Sequence, residues 1–148
     1  MKKQFLIKSI ICAATVLCIS PLFADTQQNK IKVELANVNS SEGKILVSIY
    51  DSAKNFNKRT PCREVKVDPT VGTTVFDVEI PDGDYLFCVC HDVNGNGELD
   101  EGLFRIPKEP VAISNLNAKS VPKFEKLKIN ITEDTTIPME LFSYCVGR

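Results

Sequence analysis

One histidine, His91, is all the imidazole in the sequence, so any acid–base scheme that needs a neutral-pH proton carrier must run through it. No serine lies in a nucleophile elbow, which leaves Ser114 with Asp92 a triad on paper only. Neither sign of charge is in excess: 18 Lys and Arg face 19 Asp and Glu, and nothing in that balance suggests a nucleic-acid partner. Beyond the first two dozen residues no apolar stretch is long enough to span a bilayer. Internal repeats, low-complexity segments and linkers are missing, and so is helical periodicity outside the N-terminal segment.

That segment has the layout of a secretory signal. Lys2 and Lys3 precede an apolar stretch from Ile10 to Ile19, and Pro21-Leu22-Phe23-Ala24 leads into polar Asp25-Thr26-Gln27-Gln28. Cleavage is expected after Ala24. The competing reading is an N-terminal membrane anchor, but an apolar run of about ten residues is short against the roughly twenty that a spanning helix requires. A lipid anchor would need small residues just before a cysteine, which the residues preceding Cys12 and Cys18 do not supply. Removing residues 1–24 takes away Lys2, Lys3 and Lys8 and no acid, so the formal charge moves from −1 to −4. The remaining 124 residues, 25–148, suit one domain that buries about two thirds of its unfolded surface. The expectation is a periplasmic or secreted protein with one core.

The mature sequence alternates apolar and polar residues in short runs bounded by Gly, Pro, Asn and Asp, the period of strands half-buried in a sheet. Ile31, Val33 and Leu35 share one face, as do Ile45, Val47 and Ile49 after Gly43. Asp51 to Pro61 reads as a polar connection and Cys62 to Val67 as a weaker strand. Thr73 to Ile80, with Phe76, Val78 and Ile80 inward, is followed by the turn Pro81-Asp82-Gly83-Asp84. Tyr85 to His91 is then the return strand, apolar on both faces and so central. Val111-Ala112-Ile113 is a short run, and two final strands carry Leu127, Ile129, Ile131 and Ile137, Met139, Leu141 inward. Seven to eight strands of this kind predict an all-β fold, an antiparallel β-sandwich of immunoglobulin-like or transthyretin-like type. A closed barrel is the alternative.

The richest local pattern is Asp92-Val93-Asn94-Gly95-Asn96-Gly97-Glu98-Leu99-Asp100. Oxygen ligands at positions 1, 3 and 5, Gly at 6, a carbonyl at 7 and an oxygen at 9 are how a short loop wraps Ca2+. Asp92, Asn94, Asn96, Gly97, Glu98 and Asp100 hold those places. Carboxylates and amides offer oxygen at about 2.4 Å, and the glycine permits the bend. Position 12, where the helical form of the loop has a bidentate Glu, is Leu103, so Glu101 or Glu109 is the substitute carboxylate. With Asp92 and Asp100 as the firm charges, affinity falls in the range of about 10⁻⁴ to 10⁻³ M typical of extracellular modules. The metal-free alternative is an Asx- and Gly-rich turn, which such residues make unaided.

His91 to Asp100, with Ile106-Pro107-Lys108-Glu109, Ser114-Asn115, Pro81-Asp82-Gly83-Asp84-Tyr85 and Pro122-Lys123-Phe124, resembles the bacterial family catalogued as domain of unknown function 2141. The likeness runs from about Lys30 to Tyr144. It implies an exported β-sandwich and no assigned activity. The chain departs from the family's pattern at Arg105, where Gly is expected, and at Gly102, where Asn is usual.

Cys12 and Cys18 leave with the signal, and Cys62, Cys88, Cys90 and Cys145 stay, an even number in an oxidising compartment that favours disulfides. Cys88 and Cys90 are two apart on one strand, about 6.5 to 7 Å between Cα atoms and at the limit for a bridge. Each is expected to pair elsewhere, one with Cys62 and one with Cys145. Free core thiols are one alternative. A soft-metal carrier through Cys88 and Cys90, with His91 beside them, is another, since copper(I) and zinc prefer these ligands, although His91 points to the opposite face. His91 itself reads as a strand-end residue that orders the loop beside it. Tyr50, Phe56, Tyr85 and Phe87 read as core before they read as a ligand groove. The leading functional expectation is a non-enzymatic module that binds an envelope or extracellular protein or glycan, with calcium shaping a surface loop. A small hydrolase using His91 with Asp92 or Glu109 is the competing class.

Overall fold

The period-two pattern around Ile31, Val33 and Leu35 becomes β1, Gln28–Val38, which turns Ile31, Val33, Leu35 and Val38 into the core and Lys30, Lys32 and Glu34 to solvent. It is the middle strand of a three-stranded sheet in a computed structural model that describes residues 27–116 and 121–144. The expected signal segment, with Cys12 and Cys18, and Cys145 lie outside those residues. The other strands are β2 (Lys44–Tyr50), β3 (Arg63–Val67), β4 (Gly72–Pro81), β5 (Gly83–Asp92), β6 (Val111–Ile113), β7 (Ile129–Ile131) and β8 (Thr135–Glu140). One sheet has the order β4-β1-β8; the other runs β3-β2-β5-β6, with β7 also paired to β5. This is the expected β-sandwich.

One pairing departs from the antiparallel expectation. β8 lies parallel to β1, Ile31 opposite Thr135 through Ala36 opposite Glu140. Parallel neighbours cannot be joined by a tight hairpin, and these two come from opposite ends of the domain. The chain makes β7 in the larger sheet before it crosses to β8.

The inward faces of both sheets meet in one core. Ile31, Val33, Leu35, Phe76, Val78, Ile80, Ile137 and Met139 face Ile45, Val47, Ile49, Tyr85, Phe87 and Val89. β5 is buried on both faces, because its second face is roofed by two short helices. α1 (Ala53–Lys58) occupies what reads as a polar connection, and α2 (Phe124–Leu127) takes Leu127 out of its expected strand. Neither is long enough to display a period. α1 is set by its ends instead: Ser52 Oγ accepts from Asn55 N–H, and Arg59 takes the left-handed conformation that closes the helix. Tyr50, Leu86, Phe124 and Leu127 form a second, smaller cluster beneath them, with Tyr50 and Phe56 edge to face at 5.4 Å. Tyr50, Tyr85 and Phe87 therefore pack in the interior, with Phe56 half-buried against Tyr50, rather than line a groove.

Among the described residues no helix is long and apolar enough to cross a membrane. Phe87, fully buried between the sheets, tests the core. Phe87→Ala is expected to lower unfolding stability by roughly 3–5 kcal/mol, read from urea denaturation, and a loss under about 1 kcal/mol would contradict this packing.

Candidate functional site

β5 ends at Asp92, and the loop beyond it is organised around that side chain. Asp92 is 1% exposed, yet its carboxylate is fully engaged. Oδ1 accepts from the N–H groups of Gly95 (2.8 Å) and Asn96 (3.2 Å), and Oδ2 from that of Gly97 (2.8 Å). Burying a carboxylate unpaired costs several kcal/mol; hydrogen bonds to a charged group contribute about 1.5–3 kcal/mol each, so three offset that cost. Gly95 and Gly97 have φ of +73° and +86°, the left-handed turns that aim these N–H groups inward.

The strand end is held from the neighbouring loop. Gly43 lies so close that a Cβ there would sit 1.8 Å from the Asp92 carbonyl oxygen, and its φ is +70°. His91, 1% exposed, directs Nε2 to the Glu42 carbonyl oxygen at 2.9 Å, so Nε2 carries the proton and donates. The single imidazole is thus spent on tying the β1–β2 connection to the base of the loop, in keeping with its reading as an ordering residue.

Asn94 and Asn96 continue the chain of turns. Asn94 Oδ1 accepts from Asn96 N–H and Asn96 Oδ1 from Glu98 N–H, each at 2.9 Å. Their amide nitrogens both donate to Asp100 Oδ2, at 2.6 and 3.2 Å. Asp92, Asn94, Asn96 and Asp100 are therefore brought together, whereas Glu98 joins through its backbone and leaves its side chain exposed. Among the described residues no three His, Cys, Asp or Glu side chains gather as a metal-holding group. Of the two substitute carboxylates, Glu109 reaches the loop: Oε1 accepts from Val93 N–H and Oε2 from Asp100 N–H, both at 3.2 Å. Glu101 is turned away to Arg59, 2.6 Å distant.

Past Asp100 the chain folds into a miniature hairpin that sequence reading missed. Lys108 N–H donates to Asp100 O, Gly102 N–H to Ile106 O, and Glu101 bridges Pro107. Its tip is Leu103-Phe104. These side chains are 78% and 86% exposed, and Phe104 has φ +58°, unusual for a bulky residue. Leu103, position 12 of the calcium pattern, is a tip residue. Leu103, Phe104, Ile106, Pro107 and Tyr144 border a cleft of about 670 Å3, beside which the Phe142 and Tyr144 rings meet at 5.3 Å. The available signal was an apolar pair out of alternation, set between Gly102 and Pro107.

Ser114 is structural: its hydroxyl accepts from Phe87 N–H and donates to Leu127 O. Among the described residues Cys62, Cys88 and Cys90 are free thiols, so the bridge expected from Cys62 is not formed; Cys145, the other expected partner, lies outside the described residues. Cys62 N–H bonds to Ile49 on β2, whose opposite edge pairs with β5. Two strand spacings, about 10 Å, thus part Cys62 from Cys88 and Cys90, beyond the roughly 7 Å a bridge tolerates. Burial pushes the Cys88 thiol up to about 12. Burial also raises Cys90, and the Glu109 carboxylate, 3.5 Å from its sulfur, adds to the effect. Neither supplies a thiolate at neutral pH.

The model of the family described as an uncharacterized protein conserved in bacteria (DUF2141) matches residues 33–138. The chain belongs to that family. No curated protein and no solved structure matches it.

Asp92→Asn places an amide donor against backbone N–H groups and is expected to destabilise by about 2–4 kcal/mol in urea unfolding; unchanged stability would remove Asp92 as the organiser of the loop. At pH 8, Cys88 is expected to react with a thiol reagent about a thousandfold more slowly than an ordinary cysteine. Because its folded pKa lies above the unfolded value near 9, its contribution to stability is intact below pH 9. It is lost by about 1.4 kcal/mol per pH unit towards pH 12, and Cys88→Ala should flatten that alkaline slope.

Proposed function

We propose that this member of the DUF2141 family is an exported, non-enzymatic module that binds an envelope or extracellular protein or glycan through the Leu103–Phe104 tip and the adjoining cleft. The observation that carries the reading is the pairing of a rigid base with an exposed apolar tip. Isolated exposed apolar residues are ordinary. Here two adjacent ones project from a hairpin whose base is closed by Asp100 and Glu109, next to the loop that Asp92 organises. The left-handed backbone at Phe104 costs on the order of 1 kcal/mol or more, and strain of this kind clusters where a side chain must be presented.

The hydrolase reading has less support. His91 is buried and engaged with Glu42, and the carboxylates of Asp92 and Glu109 face backbone N–H groups. The soft-metal reading is weakened by protonated thiols at Cys88 and Cys90.

Within the module, the Asp92–Asp100 loop acts as a weak structural calcium site. The amide groups of Asn94 and Asn96 already turn their positive ends to Asp100 Oδ2, the role a cation would take over. Each amide would rotate to offer Oδ1 to the ion and give up the N–H that this oxygen now accepts. Two bonds worth about 0.5–1.5 kcal/mol each are lost, which keeps affinity low.

The test has two readings. Calorimetric titration of metal-stripped protein is expected to give binding at about 10⁻⁴ to 10⁻³ M calcium with a higher melting temperature, and silence at millimolar calcium sinks the metal role. Capture of envelope proteins and glycans by immobilised wild type should be lost with a Leu103→Ala, Phe104→Ala double variant of unchanged melting temperature. Equal capture by both would sink the tip as the binding surface.

A further inference from the structure

The four lateral edges of the two sheets are not equally protected. β8 carries Pro138 in mid-strand, β6 has three residues and is met by Phe142, and β3 has five residues with Arg63 and Lys66 along it. Proline, brevity and positive charge are the usual devices that keep an edge from recruiting another strand. β4 is ten residues long, and from Thr73 to Asp77 it has no proline, no lysine and no bulge.

Its free hydrogen-bonding groups can be assigned. Arg63 Nη1 donates to Glu79 O at 2.7 Å, so the Glu79 carbonyl points away from β1. Across the pair, Lys30, opposite Glu79, sends its N–H the other way, to Asp134. Both observations make Glu79 and Lys30 a non-hydrogen-bonded pair, and alternation along an antiparallel ladder then turns the N–H and C=O of Thr73, Val75 and Asp77 outward. The same residues carry solvent-facing side chains, with Val75 53% exposed.

We infer that β4 pairs antiparallel with β4 of a second copy of this chain, with the two-fold axis at Val75. In that register Val75 meets Val75 and Thr73 meets Asp77, so the outward N–H and C=O groups of Thr73, Val75 and Asp77 are all used. Shifting the axis to Phe76 calls on the Glu79 carbonyl that Arg63 already occupies, and shifting it to Asp77 sets two carboxylates face to face. Moving it to Thr74 or Thr73 brings in Val71, outside the strand. At Val75 the cross-strand contacts are a β-branched pair and a hydroxyl beside a carboxylate, both favourable. Lys30, 2.9 Å from Asp77, tempers the remaining charge. The two small sheets would join into one of six strands.

Sedimentation equilibrium of the full mature chain in a Cys62→Ser background is expected to show a monomer–dimer equilibrium as concentration rises to about 200 µM. Val75→Lys, which sets like charges on the axis, should weaken the dimer at least tenfold without lowering the melting temperature. Val75→Cys should cross-link under mild oxidation, because hydrogen-bonded neighbours stand about 5.5 Å apart at Cα, whereas Glu79→Cys should not. A wild type that stays monomeric, or a dimer indifferent to Val75→Lys, overturns the proposal.

Discussion

The carboxylate of Asp92, buried at the end of the central strand and facing three backbone N–H groups, is the interaction on which the loop end of the molecule depends. A charge in that place is tolerable only while all three donors stay aimed at it. The aim requires left-handed turns at Gly95 and Gly97 and a neighbouring backbone with no Cβ at Gly43. Glu109 performs the same service one layer out by joining Val93 to Asp100. Two acids and three glycines thus convert a long polar connection into a fixed mount.

That mount separates two jobs often combined in one loop. Oxygen atoms of the Asp-Asn run are directed inward or at one another, where they hold backbone. Beyond the Asp-Asn run the domain also offers an apolar surface: Leu103, Phe104 and the cleft they share with Tyr144. Affinity at such a surface would come from desolvating large side chains that are already held in place. A cation in the loop would stiffen the mount and would do no chemistry.

The roofed face of β5 raises the proton affinity of its two thiols. Cys88 lies against the cluster under α1 and α2, and Cys90 meets Glu109. Both surroundings disfavour the anion, by desolvation first and, at Cys90, by the carboxylate as well. The packing that makes β5 central is thus also what keeps these thiols protonated.

Much of the sandwich is legible in the sequence, because a strand's period of two shows up within a few residues. Ile31, Val33 and Leu35, like Phe76, Val78 and Ile80, announce their faces without knowledge of any partner, and β5 announces its centrality by lacking a polar face. The Asp-Asn-Gly loop is equally local, whereas the partner that His91 holds, the Glu42 carbonyl, comes from the β1–β2 connection. Invisible locally are relations across distance: the parallel seat of β8 on β1, the closure of the loop by Glu109, and the diversion of Glu101 to Arg59. The strand spacings that hold Cys62 from Cys88 and Cys90 belong to the same group. Short α1 and α2 escaped because their lengths hide a helical period, and the Leu103–Phe104 tip because two apolar residues look the same in sequence whether they face a core or solvent. Periodicity reports which side of its own element a residue occupies; only the tertiary structure decides what stands opposite.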